Sequence, residues 1–452
     1  MTGKRRRMGG RERAPRAGAP PERPFAPTRR AVLPNGVAVL VAPTPALHSA
    51  MLAVYVRAGS RHETAATNGV SHFLEHILFR GSRGYPDTRA MNATVEAAGG
   101  SLDAATARDH ACYFTPIHPA GLEIGLDVLG DMVRRPLFRD VDLERQVILE
   151  EILDEVDARG KDVDPDNLMK RLAFGRHPLG FKIAGTQRSI RALREADLRR
   201  HHERLYAGAN LVLAVAGPVD PAEVEALAAR HLGGLPRGAR VAVAPPPRWP
   251  AGPAIASVGR DDAQVEFALA FPAVPERHPD FPAFLCLRRL LDDGLSARLP
   301  SEIVERLGLA YAIHASLETF SDAGVFSVEG ACSPARLGRV VREALRLLGE
   351  VAAAPVPAAE LLHVQRRHRM SLAFAADSPA ELVGWLGSGE VLDAPEDFAR
   401  RCRRVERVTP GDVRRVARAA LRARNLLAVA VGPGPGSARR ALARAVAAAP
   451  LP

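Results

Sequence analysis

The stretch Val70-Ser71-His72-Phe73-Leu74-Glu75-His76-Ile77-Leu78 decides how this chain is read. Val70, Phe73, Leu74, Ile77 and Leu78 recur at the i, i+3, i+4, i+7, i+8 spacing of an amphipathic helix. His72, Glu75 and His76 therefore face away from the apolar stripe. Two histidines four residues apart share one helical face and can both reach a metal ion. Glu75, one turn from His72, is placed to take a proton from a metal-activated water. Thr67 or Asn68 is the expected cap of this helix. The bland alternative is a pair of surface histidines beside a solvated glutamate, and the motif by itself does not exclude it.

A site of this type needs a third ligand from another element. The segment Asp140 to Asp157, DVDLERQVILEEILDEVD, reads as a second helix. On it Glu144, Ile148, Glu151 and Glu155 form one stripe, with Glu150 rotated off it by about 100°. Carboxylates on a half-buried stripe are costly unless something positive faces them, and a metal ion would meet that need. An acidic solvent face is the competing reading.

Working outward, the chain repeats itself. Asp197-Leu-Arg-Arg200, Asn210-Leu211 and Gly217-Pro218 recur as Asp412-Val-Arg-Arg415, Asn425-Leu426 and Gly432-Pro433, each 215 residues later. Each copy reads as a helix followed by an apolar strand, Leu211 to Ala216 and Leu426 to Val431, ending in a Gly-Pro turn. The expected organisation is a disordered basic tail at 1–30, an N-terminal zinc-binding domain at 31–240, a Pro-rich linker at 241–254 and a homologous C-terminal domain at 255–452. Strands mixed with long helices give an α+β class for both domains.

His72-x-x-Glu75-His76, followed 75 residues after His76 by Glu151, resembles the pitrilysin family of inverzincin zinc metallopeptidases, in the branch of short subunits similar to the mitochondrial processing peptidase β-subunit. Leu33-Pro-Asn-Gly-Val37, Ala58-Gly-Ser-Arg-His-Glu63 and Gly308-Leu-Ala-Tyr311 carry the same resemblance, which spans about Arg30 to Gly432. It implies two homologous α/β-sandwich-like domains, each an antiparallel-rich sheet with helices on one face, around a chamber. His72, His76 and Glu151 are implied as ligands of one zinc ion per chain, Glu75 as general base and Glu144 as a supporting acid. The same ligand set accepts Mn or Co. The implied substrate is a peptide or unfolded segment lying along Ser101, Leu102, Asp103 and Ala104, added as a strand to a sheet edge. An interior strand is the alternative, and Asp103 stands where the family commonly has Asn.

The resemblance also implies an arginine seven residues before Tyr311, reaching across the chamber to the substrate. Position 304 is valine, which can neither donate a hydrogen bond nor offset negative charge. A homo- or heterodimer is expected: either another arginine, such as Arg298 or Arg306, substitutes for it, or the chain is the zinc-bearing half of a heterodimer whose homologous companion supplies the arginine. A non-catalytic structural subunit that keeps the peptidase fold is the alternative function.

Composition narrows the remaining classes. Residues 1–30 hold ten Lys/Arg against two Glu, so most of the net charge of +11 belongs to that arm. Neither an aromatic-interleaved basic face nor a nucleic-acid module accompanies it, so nucleic acid is not an expected partner. No apolar run is long enough for a membrane span. The arm is rich in Pro, Gly and Arg and lacks the apolar core of a secretory signal, so a bacterial cytoplasmic protein is expected. Cys112, Cys286, Cys332 and Cys402 form no C-x-x-C pair and read as buried thiols.

Overall fold

The computed structural model describes residues 27–246 and 248–452. Residues 1–26 of the expected tail lie outside them. Its last two residues do not belong to a tail, because Arg29 and Arg30 open the first strand and Arg30 pairs with Glu390 at 2.8 Å.

Eleven strands form two sheets among the described residues. The first contains β1 (Arg29–Val32), β2 (Ala38–Pro43), β3 (Ala50–Val56), β4 (Asp103–Thr106), β5 (Ala111–Ile117) and β6 (Leu211–Gly217), in the order β1-β2-β6-β3-β5-β4. The second contains β7 (Ala254–Gly259), β8 (Val265–Ala273), β9 (Ala312–Thr319), β10 (Gly324–Cys332) and β11 (Leu427–Gly432), in the order β7-β11-β8-β10-β9. Within each sheet one neighbouring pair is parallel, β2 with β6 and β7 with β11, and the others are antiparallel.

The helices follow the same repeat. In the first half they are α1 (Val70–Leu78), α2 (Thr88–Ala97), α3 (Leu122–Arg134), α4 (Val141–Leu153), α5 (Pro165–Phe174), α6 (Gln187–Ala192), α7 (Glu195–Leu205) and α8 (Pro221–Leu232). In the second they are α9 (Phe281–Leu291), α10 (Leu337–Ala353), α11 (Ala358–Ala376), α12 (Pro379–Val391), α13 (Phe398–Glu406), α14 (Pro410–Ala420) and α15 (Pro435–Ala447). The second helix expected from sequence ends at Leu153, so Glu155 leaves the stripe and pairs instead with Lys182 at 2.7 Å.

Each half has its own core between one sheet face and its helices. The opposite faces are not bare. Leu168, Met169 and Phe174 of α5, from the first half, pack on Ala268, Ala270, Leu427 and Val429 of the second sheet. Val383 and Val391 of α12, from the second half, pack on Leu40, Ala53, Tyr55 and Ala214 of the first. Covered on both faces, β6 is buried at all seven residues and β11 at all six, which is why both read as continuous apolar runs instead of alternating ones. The approach of α12 needs Gly387, where a Cβ would run into the ring of Tyr55.

Charge reinforces this reciprocal clasp. Arg57 donates to the carbonyls of Glu390 and Val391 at the C-terminal end of α12, where a cation meets the negative end of the helix. The fully buried Arg61 pairs with Asp109 at 3.1 Å in its own half and with Asp322 at 2.6 Å in the other. Lys170 on α5 bridges Asp166 and Glu318. The four cysteines are buried and unbridged.

Candidate metal centre

The helix α1 begins at Gly69, whose φ of 93° suits a residue without a side chain. Neither Thr67 nor Asn68 caps it. Glu63 does: its Oε2 accepts from the Gly69 amide at 2.7 Å and its Oε1 from the Ser71 amide at 2.9 Å. Asn68 donates to the same carboxylate at 2.9 Å. Burial raises the pKa of Glu63, and these donors oppose the rise. A buried anion thus satisfies the free amides and positive end of the helix that presents the two histidines. Sequence reading overlooked it because the carboxylate comes from six residues upstream, through a turn. On the far side Ser71 Oγ lies 3.0 Å from His201 Nε2, fixing α1 against α7.

Phe73, Leu74, Ile77 and Leu78 are fully buried, while His72, Glu75 and His76 are half-buried on the opposite face. Among the described residues, ligand atoms of His72, Glu75 and His76 lie within 4.8 Å of one another. Glu151, on α4, closes the group: its carboxylate oxygens lie 3.7 Å from His72 Nε2 and 3.6 Å from His76 Nε2. With bonds of about 2.0–2.1 Å, ligand atoms of a tetrahedral zinc site are separated by roughly 3.4 Å, close to this spacing. Two imidazoles and one carboxylate from two elements leave a fourth position free, the pattern of a catalytic site. Burial, and then the neighbouring His76, push His72 down to about 4, which keeps it in the neutral form that binds metal.

Glu144 lies about two helical turns before Glu151 on α4 and is buried. It accepts from His76 Nδ1 at 2.8 Å and from Arg80. Such a contact fixes the tautomer, leaving the Nε2 lone pair free to ligate. Burial raises the pKa of Glu75, and the Thr106 hydroxyl, which donates to its Oε2, lowers it. Thr106 was not among the residues picked from sequence. It closes the small-residue segment, and only the packing of β4 against α1 brings it to Glu75.

That strand is at the edge of its sheet, hydrogen-bonded to β5 alone. Leu102 and Ala104 pack toward the core, and Ser101 and Asp103 are exposed. The Asp103 carboxylate turns back to its neighbour's amide, Ala104 N, at 2.8 Å. Tyr311 is 91% exposed and lines a cavity of about 450 Å³ with Lys170 and His314, a cavity that none of His72, Glu75, His76 and Glu151 lines. Val304 packs against the second core within a π-helical turn, Pro300–Arg306. Arg298 is held by both oxygens of Glu360, and Arg306 by Glu302, so both nearby arginines are engaged within the second half.

Residues 38–187 match the family described as Insulinase (Peptidase family M16), and residues 192–367 match the Peptidase M16 inactive domain. An uncharacterized zinc protease of Mycobacterium tuberculosis is 34% identical over 440 residues, covering 94% of this chain and 97% of the relative. The chain belongs to the insulinase family. The mitochondrial-processing peptidase subunit beta of Blastocladiella emersonii is 31% identical, covering 89% of this chain and 88% of that one. Its fold matches a protease from Helicobacter pylori with a TM-score of 0.81 at 22% identity, over 90% of this chain and all of that one. The insulinase-family relatives are zinc proteases and processing peptidases by name, which makes the chain a metallopeptidase at family level. The match to the family's inactive domain, residues 192–367, contains no His-x-x-Glu-His motif.

Proposed function

We propose that the chain is a zinc-dependent endopeptidase that holds one zinc ion through His72, His76 and Glu151 and cleaves peptides or unfolded protein segments between its two halves. The convergence of the two imidazoles and the Glu151 carboxylate beside Glu75 carries this reading. Bound there, zinc would supply Lewis acidity toward a peptide carbonyl and toward water. Glu75 would take the proton of the attacking water on its carboxylate and pass it to the leaving amine, while Thr106 holds its Oε2 in place. Glu144 keeps His76 in the ligating tautomer. The open edge of β4, which ends at Thr106, would take the substrate as an added strand, so that backbone hydrogen bonds bind it with little regard to sequence.

The chain would work as the zinc-bearing subunit of a dimer. Val304 supports this, since it packs into the second core while Arg298 and Arg306 are engaged elsewhere. The test is cleavage of an unstructured fluorogenic peptide library by the purified chain, with zinc content measured, alone and with a homologous companion subunit. Zinc bound with activity only beside the companion is the expected result. Activity of the chain alone would show that Val304 is tolerated and no companion subunit is needed, and absence of zinc would favour a structural subunit.

A further inference from the structure

The element order repeats, so α9, β9 and α11 occupy in the second half the places that α1, β4 and α4 occupy in the first. Where the first half gathers its metal-binding residues, the second has a cavity of about 540 Å³ between α9, β9 and α11, closed on another side by Trp385 of α12. Its walls include Phe281, Leu317 and Leu372, and its polar groups offer donors. His368 on α11 is only 4% exposed, yet neither ring nitrogen has a hydrogen-bond partner. Burial, then Arg289, push it down to about 3, so the ring is neutral and presents one donor and one acceptor.

Arg289 gives Nη1 to Asp293 at 3.0 Å, and its buried Nε has no partner. Arg288 spends Nε on the Ala315 carbonyl, and its terminal nitrogens make no hydrogen bond among the described residues. Of the carboxylates that line the cavity, Glu318 is tied to Lys170 and Arg108 of the first half, and Glu381 is exposed at the rim. Arg401 is occupied by Glu276 and Glu396. What remains unspent is the buried Nε–H of Arg289, the terminal N–H groups of the half-buried Arg288 and both ring nitrogens of the buried His368, beside apolar walls. Planar forks match the two oxygens of a carboxylate, and the walls suit an apolar side chain beside it.

We infer that this cavity binds the C-terminal carboxylate of a peptide whose last side chain is apolar. The repeat has kept the recess and exchanged metal-ligating groups for anion-binding ones. The site makes no use of zinc or of turnover, so its fate is separate from that of the peptidase reading.

Trp385 lies in the cavity wall, and the chain has one other tryptophan, Trp249, so Trp249→Phe leaves a single local reporter. N-acetyl-alanyl-alanyl-leucine with a free carboxylate is titrated into this full-length variant while Trp385 fluorescence is followed, against the same peptide as its C-terminal amide and against inorganic phosphate. The acid is expected to give a saturable change and the amide none. His368→Leu replaces ring atoms that bond nothing, and Arg289→Met leaves Asp293 its second partner, Arg367 at 3.1 Å, so both keep the fold. Each should weaken binding by about tenfold or more, the loss expected for one hydrogen bond to a charged group. Equal binding of acid and amide, full reproduction of the effect by phosphate, no saturable change, or unchanged affinity in both variants would each overturn the assignment.

Discussion

The recess of the first half and the recess of the second are made by the same elements in the same order, and they carry different side chains. Around α1, β4 and α4 stand two imidazoles, Glu75 and Glu151; around α9, β9 and α11 stand Arg288, Arg289 and His368. The sheets and helices set where side chains converge. The identity of four or five residues sets what converges there. The first recess also has an outer layer that holds it rigid: Glu63 at the start of α1, Glu144 behind His76, and Thr106 on Glu75. In the second recess both ring nitrogens of His368 and the Nε of Arg289 are left unpaired, which suits occupation by a ligand that completes them.

The comparison breaks most visibly at Glu75. Glu75→Gln should retain zinc, measured by elemental analysis, and lose roughly 10²- to 10⁴-fold in peptide hydrolysis, the usual contribution of general-base catalysis. Undiminished cleavage would show that the first recess owes its chemistry to other groups. A second prediction concerns the clasp that keeps the halves in register. Arg61→Met leaves the buried Asp109 and the half-buried Asp322 without their cation and should cost about 3–5 kcal/mol in denaturant unfolding. A cost near zero would mean that apolar contact of α5 and α12 suffices to hold the halves.

The outer layer is tested by Glu144→Gln, which keeps the shape and weakens the hold on His76. Zinc affinity, from chelator competition, should fall about 10- to 100-fold, with the fold intact. Unaltered affinity would make Glu144 a partner of Arg80 and nothing more. The smallest effect concerns acid. Burial pushes His62 and His110 down to about 4, well below the roughly 6.5 of an unfolded histidine. Below that value the unfolded chain binds protons that the folded one does not, so stability should decline as pH falls from about 6.5 toward 4. His62→Gln and His110→Phe should each flatten that decline in thermal melts at stepped pH, and an unchanged slope would assign it to other groups.

Much of this was written along the chain. The 3.6-residue periodicity around His72 marks a helix with a polar face, because an amphipathic helix cannot hide its pattern. The 215-residue repeat predicts two similar halves, since homologous apolar strands such as β6 and β11 bury alike. His72, Glu75 and His76 were legible because they share one helix, where spacing alone fixes relative position. Glu151 and Glu144 were legible as a stripe, without any sign of which carboxylate would face which histidine. The cap by Glu63, the contact of Thr106 with Glu75, and the exchange of α5 and α12 between halves were not. Each joins residues through turns or across domains, and their meeting depends on how whole sheets and helices pack. The local elements, the repeat and the kinds of donor available are encoded in residue spacing and type along the chain. Which of those donors meet follows from the packing of separate elements, because the distances between them are set by long-range contacts and not by spacing along the chain.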